Sequence, residues 1–122
     1  MPGTEQPSSR DPAPAALEAL RAACLAQPDV TERLSHGEPS WFAGKRQFAM
    51  FANRHHDDRV AFWCAAPPGA QEPLVEAEPA RFFRPPYVGH RGWIGVYLDV
   101  DDVDWARIAE IVEAAHLSVA RR

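Results

Sequence analysis

No apolar run in this chain approaches the roughly 20 residues that span a bilayer, and the opening MPGTEQPSSR lacks the basic start and apolar stretch of a secretory signal. Those absences predict a cytoplasmic protein with no membrane partner. Only two cysteines occur, Cys24 and Cys64, too few and too far apart for a disulfide scaffold or a zinc site, and both sit in apolar surroundings that suit reduced core residues. Positive charge is not in excess: 13 Lys+Arg stand against 17 Asp+Glu, a formal charge of -4, which argues against indiscriminate nucleic-acid binding by the whole surface. No glycine-rich loop opens a helix, because Gly89, Gly92 and Gly95 precede or punctuate a strand, so a P-loop is excluded. A nucleophile elbow is also missing, and neither cysteine has a nearby base, so no catalytic residue is assigned. What the chain has instead is proline, 12 in 122 residues, about twice the usual share.

A length of 122 residues fits one domain with one core. Residues 1–11 carry Pro, Gly and Ser and almost nothing to bury, which predicts a disordered tail before a single domain over 12–122. A helix is expected from Pro12, capped by Asp11, with Leu17, Leu20, Cys24 and Leu25 on one face, Glu18 and Arg21 toward water, and Pro28 as the stop. From Val30 to Ala66 the helical period gives way to short aromatic runs between turn residues, the pattern of an antiparallel meander. Its strands are expected at Thr31–Ser35, Ser40–Ala43, Arg46–Asn53 and Val60–Cys64, separated by His36-Gly37-Glu38-Pro39, by Gly44-Lys45 and by the polar turn Asn53 to Asp58. A short helix over Ala70–Glu78, a turn at Ala80–Phe83 and a loop over Arg84–Gly92 lead to a strand over Trp93–Val100, with Ile94, Val96 and Leu98 on one face. A last helix begins after Asp104 and ends near His116. This order, α-β(3-4)-α-β-α, predicts a two-layer α+β domain whose mostly antiparallel sheet carries helices on one face.

Two segments, Arg33-Leu34-Ser35-His36-Gly37-Glu38-Pro39-Ser40-Trp41-Phe42 and Arg81-Phe82-Phe83-Arg84-Pro85-Pro86-Tyr87-Val88-Gly89-His90-Arg91-Gly92-Trp93-Ile94-Gly95-Val96, resemble the two signature stretches of the MmcQ/YjbR-like family, and the helix start Val103-Asp104-Trp105 is similar too. The resemblance implies an α+β fold of the secretion-chaperone, or CyaY-like, type. It also implies a DNA-binding label, attached to the family for two hairpin wings that would grip a duplex. It brings no catalytic residues and no cofactor.

Read residue by residue, the segment Arg81 to Gly92 holds three arginines and no acid, so its local charge is +3 in a negative protein. Arg81, Arg84 and Arg91, with His90 beside them and Lys45 and Arg46 at a hairpin tip, form the candidate contacts to double-stranded DNA. Arg54, His55, His56 and Arg59 flank a second tip, where Asp57 and Asp58 oppose their charge. A second reading starts from Trp41, Trp63, Trp93 and Tyr97: strand alternation turns Trp63 and Tyr97 away from the aliphatic face, where they would line an open sheet surface for an aromatic small molecule. A third reading, an enzyme using His36 with Glu38 or using His90, ranks last, since no acid-base-nucleophile set is visible. His55-His56-Asp57-Asp58 suggests no metal, because adjacent ligands on one turn cannot all converge on one ion. The expectation is a non-enzymatic binding protein, monomeric or a weak homodimer.

Overall fold

The computed structural model describes residues 11–55 and 57–120. The tail expected over 1–11 therefore falls, except for Asp11, outside the described residues. Helix α1 (Ala13–Leu25) begins as its sequence requires: Pro12 supplies a first-turn residue with no amide proton to satisfy, and the Asp11 carboxylate accepts the Ala13 amide at 3.0 Å. Ala13, Ala16, Leu20 and Cys24 form its buried stripe. Arg21, expected in water, instead reaches the first strand and donates three hydrogen bonds to the Glu32 carboxylate. Those bonds, with a further one from the Trp41 indole, hold Glu32 below the usual carboxylate range.

Strands β1 (Val30–Ser35), β2 (Glu38–Ala43), β3 (Arg46–Asn53) and β4 (Val60–Cys64) form the meander. The first turn is tighter than the sequence suggested. Ser35 pairs directly with Glu38, leaving only His36 (φ 54°) and Gly37 (φ 79°), both left-handed, as a two-residue turn suits the strand twist. Helix α2 (Gln71–Ala77), strand β5 (Phe82–Phe83), strand β6 (Ile94–Tyr97) and helix α3 (Trp105–Ala120) complete the order, and the six-stranded antiparallel sheet runs β1-β2-β3-β4-β6-β5. Phe82–Phe83, expected as a turn, is an edge strand because Phe82 and Phe83 pair with Val96 and Gly95. Strand β6 stops at Tyr97, and Asp99 turns its carboxylate onto Arg59 and the Val60 amide. Helix α3 runs past His116, since Val119 supplies one more buried turn.

Residues paired directly across strands share a face, so the register sorts the side chains. One face holds the rows Trp41, Ala49, Cys64, Ile94 and Phe51, Phe62, Val96, Phe82. It is the face covered by α1 and α3: a bulge opposite Trp41/Phe42 adds Phe48, whose ring meets the edge of His116 of α3. The opposite face holds Ser40, Met50, Trp63, Gly95 and Phe83 in one row, and Ala52, Ala61 and Tyr97 in the next.

Cys24 and Cys64 are buried and unbridged, and burial pushes both thiols far above their ordinary range. They are inert core residues. Among the described residues no helix is long and apolar enough to cross a membrane.

Candidate functional site: an aromatic groove under a strap

The face without helices is not left bare. Residues 84–93 return across it as a strap, entering from β5 and leaving into β6 through a short 3-10 turn at Gly89–Arg91. Two close approaches fix the strap and its neighbours. The Phe83 ring lies flat over Gly95, so near that a Cβ there would sit 2.2 Å from Phe83 Cζ, and it stacks on Tyr97 at 4.6 Å. The Arg84 stem packs over Gly89 in the same way, 2.7 Å from where a Cβ would be. A third restraint comes from α2. The buried Gln71 amide donates to the carbonyls of Gly89 (2.8 Å) and Trp93 (2.6 Å), while its oxygen accepts from Arg84 Nη1 at 3.1 Å.

Between strap and sheet runs a groove of about 730 Å³. Met50 and Trp63 come to it from the strands, and Tyr87, Val88, Arg91 and Trp93 from the strap. His36 of the β1–β2 turn, Gln47 of β3 and His55 of the β3–β4 turn complete its lining. Trp63 is the hub: the His55 ring meets it edge-on at 5.6 Å and the Tyr87 ring tilts against it at 6.5 Å. Tyr87 holds a left-handed backbone (φ 67°) at the strap's tip and is 75% exposed, so an aromatic face stands at the mouth. A smaller hollow of about 280 Å³ adjoins the groove through His55 and Trp63 and adds Arg59, Arg84 and Asp57.

The sequence-predicted residues distribute unevenly over this geometry. Trp63 and Trp93 line the groove. Trp41 does not: it lies on the helix face, fully buried, its indole N–H donated to Glu32 at 2.9 Å. The bulge beside it and the register with Ala49 turn it to that side. Tyr97 shares the groove's face of the sheet but is sandwiched, with Phe83 on one side and the Arg59 guanidinium 3.8 Å from its ring centre.

The arginines also take separate posts. Arg81 donates to the Asp102 carbonyl at 3.1 Å, at the helix side, and Arg84 is tied to Gln71. Arg91 is exposed, its guanidinium 5.5 Å from the Trp93 ring centre. Lys45 and Arg46 are exposed at the β2–β3 turn, and His90 is exposed on the strap. Arg107, which sequence reasoning passed over, pairs bidentately with Glu78 and joins α3 to α2.

His36 lines the groove, and Glu38 does not. Glu38 faces the second tip instead, accepting the Asn53 amide at 3.1 Å with His55 Nδ1 at 3.6 Å. Burial pushes the Glu38 carboxyl above its ordinary range, against the opposing pull of those two neighbours. Nothing local in the sequence marks His55 as a groove residue, since only the β3–β4 pairing brings its turn beside Trp63. Among the described residues no three His, Cys, Asp or Glu side chains converge to hold a metal, and His56 lies outside them.

Six antiparallel strands, helices on one face and a strapped aromatic groove on the other define a small two-layer α+β protein. The chain belongs to the YjbR family, whose model matches residues 25–118. A solved structure, that of Deinococcus radiodurans protein DR2400 with its DUF419 domain, is similar to it at a TM-score of 0.72 and 20% identity, covering 87% of this chain and 79% of that one. That likeness establishes a shared fold. No protein of curated function matches the chain by sequence.

Proposed function

We propose that this is a non-enzymatic cytoplasmic protein that binds a planar aromatic small molecule in the strapped groove. The observation that carries the reading is the groove itself: about 730 Å³ of space against Trp63, Trp93, Tyr87, Val88 and Met50, with the polar side chains His36, Gln47, His55 and Arg91 completing the lining. Aromatic rings offer a flat ligand large contact area at little entropic cost, and Met adapts its shape to fit. Planar aromatic compounds should quench tryptophan fluorescence and raise Tm by mass action. Tyr87→Ala, at an exposed position, should weaken both effects with the fold intact. A varied panel of such compounds that neither quenches nor stabilises the wild type defeats the reading.

A second reading, duplex DNA, is supported by one observation: Lys45 and Arg46 are exposed with no acidic partner among the described residues. It predicts affinity that falls steeply with salt and drops again in the Lys45→Glu/Arg46→Glu variant. Absence of duplex binding at low salt with several sequences removes it.

A further inference from the structure

Charge along the strapped face is lopsided. The groove's lining contains Arg91, His36, His55 and Gln47, every one able to donate a hydrogen bond, and no aspartate or glutamate. Glu38, the acid beside His55, is not part of that lining. In the adjoining hollow the one acid, Asp57, meets two arginines, and its carboxylate already accepts the Arg59 amide at 2.9 Å.

Among the three arginines that line the groove and its hollow, Arg91 is set apart by its bonding. Arg59, Arg21 and Arg107 are each held by a carboxylate, Arg54 reaches Asp11, and Arg84 is held by Gln71. Arg91 has only the face of Trp93 beneath it, at 5.5 Å, and no carboxylate partner among the described residues. A guanidinium resting on an indole keeps its planar fork of N–H donors available, and the ring restricts where that fork can go.

We infer that the groove selects aromatic anions: a flat ring system against Trp63 and Tyr87, and a carboxylate or other acidic group at the ring's edge taken by Arg91. The inference rests on the aromatic-ligand reading and adds the ligand's charge to it. His36 and His55 stand across the groove from the strap as further donors to the acidic group or to a second polar substituent.

The test compares naphthoate with naphthamide, two probes of nearly the same shape of which only the first is charged, by calorimetric titration into the wild type and into Arg91→Met. Methionine keeps apolar contact with Trp93 and removes the charge, and Arg91 is exposed, so folding is not at stake. Naphthoate should bind the wild type about tenfold more tightly than naphthamide, as a charge-assisted hydrogen bond implies. In Arg91→Met that advantage should vanish, naphthoate falling to about the affinity that naphthamide has for the same variant. Equal affinity of the two probes for the wild type overturns the charge selection and leaves the aromatic groove standing. An advantage for naphthoate that survives in Arg91→Met also overturns it, because Arg91 is then not the group that takes the anion. Failure of both probes to bind, with no response from larger aromatic compounds, brings down the groove reading itself.

Discussion

The two faces of this sheet are built from the same strands and finished by different means. Over the helix face, α1 and α3 lay continuous apolar stripes on Trp41, Phe48 and Phe62, each with no exposed surface, and the polar atoms that intrude are fully partnered. Over the other face a single irregular strap is pinned at a few points, by Phe83 on Gly95, by Arg84 on Gly89 and by the Gln71 amide. A helix presents a side chain every 1.5 Å of its length and fills the space above a sheet. A proline-stiffened strap spans the same width with few side chains, so a groove remains. One face is a core, and the other is a site.

The sharpest way to test that contrast is to damage the core alone. Phe62→Ala should cost about 3–5 kcal/mol by chemical denaturation, since a fully buried ring leaves a cavity that the surroundings only partly fill. A loss under about 1 kcal/mol would mean that the helix layer is far looser than its burial implies.

Gly95→Ala attacks the junction of the two faces. The new methyl group must displace the Phe83 ring from its stack on Tyr97, so a loss of roughly 1–3 kcal/mol is expected. Because the ring belongs to the strap side, ligand binding should suffer as well. Phe62→Ala, measured under conditions where it is folded, should leave binding nearly unchanged.

The Arg59–Asp99 pair ties the β3–β4 turn to the end of β6. Burial pushes the Asp99 carboxyl upward, but the hydrogen bonds from Arg59 and the Val60 amide outweigh it and hold the group below its ordinary value. A carboxyl whose native pKa is depressed binds fewer protons folded than unfolded. Its contribution is therefore complete above the unfolded value of about 3.9 and is lost as pH falls toward the native one. Asp99→Asn should cost about 1–2 kcal/mol at neutral pH. Stability curves of wild type and variant should converge below about pH 4. Parallel curves down to the acid transition would show that the pair is electrostatically idle.

Gln71→Ala loosens the strap without touching the core. Two carbonyls lose their donor and gain access to water as the strap lifts, for about 1 kcal/mol of stability. Amide exchange should accelerate across residues 86–93 while α1 and α3 stay protected. Uniform acceleration through the whole chain would merge the two faces into one cooperative unit. Tyr87→Ala, the mildest change, should alter stability by only about 0.5 kcal/mol, because a residue 75% exposed gives up little beyond its tilted contact with Trp63. Its main effect belongs to binding.

Local patterns in the sequence carried a good deal of this. Alternation placed β3 and β4, the Asp11-Pro12 pair started α1, and the spacing of Ile108, Val112 and Ala115 laid α3 on the sheet, because these follow from side-chain period and backbone chemistry within a few residues. The α+β class followed from their order, and Trp63 and Trp93 were legible as rings on the far side of a strand. Everything that depended on pairing across the chain was decided elsewhere. Trp41 went to the helix face because a bulge and a register with Ala49 turned it there; no feature of its own strand says so. Phe82–Phe83 became a strand because Val96 and Gly95 offered an edge. Three arginines close in sequence dispersed to Asp102, Gln71 and Trp93, since a strap with fixed kinks points its side chains in different directions. His55 met Glu38 and Trp63 through the sheet, not through the sequence. Periodicity is a property of neighbours along the chain and can be read there, whereas a groove is the space between elements that meet only when the whole sheet has closed.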